Sequence, residues 1–300
     1  MDVAISGASG LLGSALAASL QADGHRVLRF KRGGITGDDT IGWDPDAGRI
    51  DAPALEGVDA VVHLAGEGIG EHRWTPEQKR RILDSRVKGT AALAGAVASR
   101  ENKPKVLVSA SAIGYYGDAG DQILTEDSAP GTDFLANVCT AWEAETRPAA
   151  DAGVRTVILR TGIVLSPGGG ALKSMLLPFR LGLGGKQGSG KQWMSWIAIH
   201  DHVAAMRAAI DDENLRGPTI VAAPNPVTNA DFAHALGHVL HRPTVLPTPM
   251  LPLKLRFGSE LVEALLLSGQ RATPARLLAA GFRFEYPVLE PALEAMLRAG

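Results

Sequence analysis

The sequence predicts an α/β protein: a Rossmann-type doubly wound parallel sheet with a smaller, mainly helical C-terminal lobe on its substrate side. Three observations predict it. Apolar runs of strand length alternate with helical patterns over the first 222 residues. A glycine-rich turn, ISGASGLLGS, joins the first run to the first helix. From Asn225 the character changes, and Pro226, Pro243, Pro247, Pro249 and Pro252 cut the chain into short pieces.

The runs cover residues 3–6, 26–31, 59–64, 105–109, 155–159 and 219–222. Between the first two, residues 11–22 read as an amphipathic helix closed by Asp23-Gly24. Residues 33–57 are too rich in Gly, Asp and Pro for a crossover helix, so the second βαβ unit is expected to be irregular, with Trp43 covering apolar surface. Thr75-Pro76-Glu77-Gln78 opens a long helix with an N-cap, a first-position proline and a capping-box glutamine, running to about Ser99. A further helix is expected over about 132–152, and 201–210 makes the crossover to the last strand. Three or four helical stretches follow in the tail, one opened by Thr273-Pro274.

Composition narrows the function. At 300 residues and 45% hydrophobic, the chain can bury a large core plus an appendage. The formal net charge of −2, with acids and bases mixed along the length, offers no footprint for nucleic acid or anionic membrane, so a small-molecule substrate is the expected partner. One cysteine, Cys139, excludes an internal disulfide. The opening MDVAISG lacks a secretory pattern, and no run approaches the roughly 20 apolar residues of a membrane span. The expectation is a cytoplasmic monomer or homodimer.

In a strand–turn–helix, the first glycine allows the tight turn, the second lets a pyrophosphate approach the backbone, and the third lets helix and strand pack closely. Gly7, Gly10 and Gly13 fit those roles, with Ser9, Leu11 and Leu12 beside them at the helix N-terminus, where amides and the dipole favour an anion. A tight turn without a ligand is the alternative. The end of the second strand chooses the dinucleotide: an acid accepts from the ribose hydroxyl of NAD, a base pairs the 2′-phosphate of NADP. Lys31 and Arg32 stand there, so NADP(H) is expected, unless both are simply solvated. This places an NADP-binding domain on residues 1–165, completed by about 200–222, and a substrate-side lobe on 166–199 and 223–300.

GASGLLG, VVHLAG, VSASAIGYYG, LRTGIVLSPGGG and IAIHDHVAAM together resemble the extended short-chain dehydrogenase/reductases, the epimerase/dehydratase group. WTPEQKRRILDSRVKGT, VCTAWE and the tail LSGQRATPARLLAAGFRFEYPVLEPAL resemble an atypical subfamily described as epimerase family proteins or NAD(P)-dependent nucleotide-sugar epimerases. The resemblance implies that Leu64, Ala65, Gly66 and Ser109 lie along the cofactor and that Ser111 is the catalytic serine. It also places Arg86, where the family usually carries an asparagine, on the cofactor side.

One expected part is missing. The family's redox enzymes use a tyrosine and a lysine four residues later; FLANVCTAWEAE has Val138 and Trp142, or in the neighbouring register Cys139 and Glu143, at those places. Two residues are candidates to move the proton instead. Tyr116 carries a phenol of ordinary pKa about 10. Cys139 carries a thiol that a basic neighbour could depress, or else is a small buried apolar residue. Glu143 is expected to pair with a base on its own helix face.

On the substrate side, the basic glycine loop FRLGLGGKQGSGKQWMSWI offers Lys186, Lys191 and Trp193, suited to a phosphorylated or carboxylated ligand with a flat ring. GEGIGEHRW adds Glu67 and Arg73 at the carboxyl end of the sheet. His234, His238 and His241 recur at helical spacing after Asp231, but far in sequence from the other features, and no metal is expected. Asp201 is read as a helix N-cap or first-turn acid. The whole reads as an NADP(H)-dependent atypical reductase or epimerase of a small polar, nucleotide-sugar-like or phosphorylated substrate. A non-catalytic NADPH-binding sensor or scaffold, and a non-redox lyase or isomerase, are the alternatives.

Overall fold

The computed structural model describes residues 1–298. In chain order, β1 (Asp2–Ser6) runs through the glycine turn into α1 (Leu11–Ala22), followed by β2 (Arg26–Arg32), β3 (Thr40–Asp44), β4 (Arg49–Ile50) and β5 (Ala60–His63). Next come α2 (Pro76–Ala98), β6 (Val106–Ala112), β7 (Ile123–Leu124), α3 (Phe134–Ala144), α4 (Arg147–Asp151), β8 (Arg155–Thr161) and β9 (Ile163–Leu165). The remainder is α5 (Gly170–Arg180), β10 (Trp193–Met194), β11 (Trp196–Ala198), α6 (Ile199–Asp211), β12 (Gly217–Val221), β13 (Val227–Thr228), α7 (Asn229–Val239), α8 (Met250–Phe257), α9 (Ser259–Val262), β14 (Arg271–Ala272), α10 (Ala275–Ala279) and α11 (Leu289–Arg298).

Eight strands form one sheet in the order β12-β8-β6-β5-β1-β2-β3-β4, parallel throughout except for the β3–β4 hairpin. The chain leaves β1 in one direction, toward β2 and β3, and returns to its other side through β5. The strand order therefore reverses between β1 and β5, which is where doubly wound sheets bind ligands, beyond the strand carboxyl ends. The strands read as continuous apolar runs because helices cover both faces. Val3, Ile5, Val62, Val108, Val157 and Leu159 pack against Leu16 and Leu20 of α1 and Met206 and Ile210 of α6. Ala4, Val61 and Leu107 point to the opposite face, against Leu93 and Val97 of α2.

The stretch read as irregular has no α-helix, yet it contributes two strands. β3 pairs parallel with β2, and Trp43 is buried against Phe30, ring centroids 5.5 Å apart. Gly42 makes this possible, since a Cβ there would stand 2.5 Å from the Gly34 carbonyl oxygen. The helix expected over 132–152 breaks after Ala144, and Pro148, which lacks an N–H, lies at the start of α4. Thr75 caps α2 through the Gln78 amide at 3.1 Å, but the reciprocal capping-box bond is absent. Gln78 instead donates to Glu67 and accepts from Arg81.

A second apolar core joins α5, α7 and α11 through Leu172, Phe179, Trp196, Phe232, Leu236 and Leu293. Asp201, in the first turn of α6, ties the tail down by accepting from the Glu285 and Tyr286 amides at 2.8 and 3.0 Å. Among the described residues, no helix is long and apolar enough to cross a membrane.

Candidate active site

The glycine turn is fixed by close backbone approaches. Gly7 has φ +69°, and a Cβ there would meet the Leu64 carbonyl carbon at 2.9 Å, so β1 and the end of β5 touch through bare backbone. A Cβ on Gly13 would stand 2.2 Å from the Gly7 oxygen. Gly10 is the exposed N-cap of α1, and no side chain caps the helix. The first-turn amides at Leu11, Leu12 and Gly13, next to exposed Ser9, are thus left for an outside acceptor. A bound pyrophosphate fits this cradle. Lys31 and Arg32 end β2 with exposed side chains and no ion pair among the described residues.

His63 locks β1 to β5. Ser6 Oγ accepts the Leu64 and Ala65 amides at 3.1 and 3.3 Å and lies 2.6 Å from His63 Nδ1, while Nε2 lies 3.0 Å from Thr90 Oγ1. With two donors already on its oxygen, Ser6 gives its proton to Nδ1, and Nε2–H serves Thr90. Burial, with Arg86 nearby, pulls the imidazole pKa down to about 4.

Ser111, near the end of β6, donates to Glu143 Oε1 at 2.6 Å. Glu143 reaches there from α3, and Arg160 of β8 grips it with two bonds, Nε at 2.9 Å to Oε1 and Nη2 at 2.8 Å to Oε2. Arg160 Nη1 donates to the Tyr116 hydroxyl and the Glu126 carbonyl, both at 3.0 Å, and its guanidinium lies 3.4 Å from the centre of the Tyr115 ring. Burial opposes the charge on Arg160, but the bonds to Glu143 outweigh it and hold the pKa above its ordinary value. The expectation that Glu143 pairs along its own helix is corrected: its partners come from two strands of the sheet. Sequence reasoning missed Arg160. Its signal was a charge at the end of the apolar run Val157-Ile158-Leu159, since a buried cation requires a buried anion.

Tyr116 is buried with Leu124, Ile220 and Ala272; burial raises its phenol to about 12 despite the bond from Arg160. Cys139 is also buried, and burial with the Glu143 charge lifts its thiol to about 11, the opposite of the depression considered from sequence. Arg86 lies 5.0 Å over the Trp142 ring and donates from Nη1 to the Glu67 and Ile82 carbonyls. A Cβ on Gly66 would come within 3.3 Å of that guanidinium, so Arg86 borders the exposed end of β5. Ser109 is buried in β6, paired in register with His63.

The substrate-side residues do not join this network. Lys186 and Lys191 are exposed on a loop packed against the tail, and Arg73 is exposed beside Gly258. Trp193 gives its indole proton to Asp121 at 2.8 Å and carries the Arg271 guanidinium 4.2 Å from its ring centre. Trp196 is core. His238 bonds Glu290, and among the described residues no three metal-ligating side chains converge.

Residues 3–223 match the family described as "NAD dependent epimerase/dehydratase family", and residues 248–296 match "Domain of unknown function (DUF1731)". The chain is 45% identical over 291 residues to the epimerase family protein Mb2239 of Mycobacterium bovis, covering 97% of this chain and 96% of that one. The solved structure of human epimerase family protein SDR39U1 (isoform2) with NADPH is similar at 36% identity and TM-score 0.91, over 99% of both chains. A nucleoside-diphosphate sugar epimerase from Corynebacterium glutamicum is similar at 38% identity and TM-score 0.82, over 99% of this chain and 58% of that one. Fold, glycine cradle and full-length similarity lead to one conclusion: the chain belongs to the NAD dependent epimerase/dehydratase family.

Proposed function

We propose that this chain binds NADPH and acts as an atypical reductase or epimerase of a small polar substrate. The observation that carries the reading is the buried Ser111–Glu143–Arg160 chain of hydrogen bonds near the carboxyl end of β6, where the family usually places its tyrosine and lysine. The NADPH in the human relative supports the choice of cofactor.

In this reading Gly7, Ser9, Gly10, Leu11, Leu12 and Gly13 hold the pyrophosphate, Lys31 and Arg32 the 2′-phosphate, and Leu64, Ala65, Gly66, Arg86 and Ser109 border the nicotinamide half. When bound, the cofactor supplies or takes a hydride at nicotinamide C4. The hydroxyl proton of Ser111 is committed to Glu143, so Oγ meets a substrate oxygen as an acceptor. Ser111 takes a proton from a substrate hydroxyl as it passes its own to Glu143; in the reductive direction Glu143 first takes up a proton from solvent and returns it through Ser111 to the oxygen of the reduced carbonyl. Arg160 holds the Glu143 side chain in place beside Ser111 through its two hydrogen bonds. Tyr116 positions Arg160, and Cys139 packs as a protonated thiol. Glu67, Arg73, Lys186, Lys191 and Trp193 serve the substrate side, where cations and the Arg271–Trp193 stack suit a phosphate or carboxylate.

A non-catalytic NADPH sensor has one observation in its favour: the Glu143 carboxylate is already fully engaged by Arg160 and Ser111, as a purely structural ion pair would be. Titration with NADPH and NADH in parallel tests cofactor choice, and turnover in Ser111→Ala separates enzyme from sensor. Tight NADPH binding without any turnover that depends on Ser111 favours the sensor.

A further inference from the structure

The near-neutral total charge hides a local segregation. Residues 152–200 contain no Asp or Glu, and neither do residues 232–259. These two acid-free segments meet in space: Arg242 Nε donates to the Arg180 carbonyl at 2.8 Å, the Thr248 amide to the Lys186 carbonyl at 2.9 Å, and Thr248 Oγ1 to the Gly185 carbonyl at 2.9 Å. The edge they form carries exposed cations at Lys173, Arg180, Lys186, Arg242 and Arg256.

The same edge gathers exposed apolar side chains. Leu177, Leu181 and Leu183, at and beyond the end of α5, are 67%, 64% and 61% exposed; Val245 and Leu246 are 87% and 63%; Leu251 and Leu255 of α8 are 70% and 72%. α8 has no buried residue at all, although five of its eight positions are Leu, Met or Phe, the other three being one proline and two cations. Scattered exposed leucines need no explanation, but an apolar set flanked mainly by cations, with Glu263 paired to Lys254 at its α8 end, marks an interaction surface.

We propose that this α5–α8 edge docks on an anionic lipid bilayer, the leucines entering the headgroup boundary and the cations meeting lipid phosphates. A basic, leucine-bearing surface is the pattern of peripheral membrane binding. A second copy of the chain is disfavoured as the occupant, because two such edges would bring five exposed cations against five.

The full chain would be sedimented with vesicles of phosphatidylcholine alone and with vesicles containing phosphatidylglycerol. Binding is expected to be at least about tenfold stronger to the anionic vesicles and to fall steeply with added salt. L251S/L255S and V245S/L246S, both on exposed positions, are each expected to weaken it by about tenfold or more, and R180Q/R256Q to remove the preference for anionic lipid. Unchanged thermal midpoints certify folding of the variants. Equal, weak binding to both vesicles overturns the proposal, as does parental binding by the serine variants. A parent that dimerises through Leu251 and Leu255, or that ignores vesicles while an acidic protein captures it through the same leucines, overturns it too.

Discussion

Arg160 of β8 and Glu143 of α3 are joined by two nearly parallel hydrogen bonds while their side chains are only 3% and 10% exposed. A buried pair of this kind contributes little beyond a well-packed apolar pair, but each half is costly without the other. Glu143→Gln is expected to lower unfolding free energy by about 3–5 kcal/mol, as measured by urea denaturation. The double variant Glu143→Leu, Arg160→Met is expected to recover much of that loss. A single variant within about 1 kcal/mol of the parent contradicts the assignment.

The glycine cradle makes a sharper distinction. A methyl on Gly13 cannot avoid the Gly7 oxygen at 2.2 Å, so Gly13→Ala is expected to push α1 off β1 and weaken NADPH by at least about tenfold. Gly95→Ala, exposed on α2 with nothing within 4 Å, is the control and is expected to stabilise by about 0.5–1 kcal/mol. Fluorescence titration and thermal melts read the two effects.

Arg32→Asp replaces the expected 2′-phosphate contact by a carboxylate. NADPH affinity is expected to drop about tenfold or more while NADH affinity holds or rises. An unchanged preference in parallel titrations removes Arg32 from the cofactor site.

His63 and His202 are both buried, and burial holds each pKa down to about 4. The unfolded chain takes up a proton at each near pH 6.5, before the folded chain does. Their stabilisation is therefore complete above pH 6.5 and is lost as pH falls from 6.5 through 4, by up to about 3 kcal/mol for each. The chain is expected to melt at progressively lower temperature over that window. Two imidazoles should show no NMR titration above about pH 5; titration of all eight near 6.5 refutes the buried assignment.

Sequence periodicity marked six strands of the large sheet, because a doubly wound sheet buries strands on both faces and leaves them continuously apolar. β3 escaped because it lies in a stretch rich in Gly, Asp and Pro, and its burial depends on Gly42 meeting Gly34. The site was harder to read. The missing tyrosine and lysine were visible in FLANVCTAWEAE, and so was Glu143, but helical spacing says only which residues share a face. It says nothing of which strand meets that face. Arg160, seventeen residues on, completes the network through tertiary packing, and its local sequence resembles an ordinary strand end.

The most direct measurement is loss of deuterium from NADPH labelled at the transferable C4 position, with the purified chain in a small-metabolite extract. The account predicts protein-dependent transfer to a metabolite, abolished in Ser111→Ala while NADPH affinity is retained. Tight NADPH binding with no transfer in any extract, or transfer undiminished in Ser111→Ala, would contradict it.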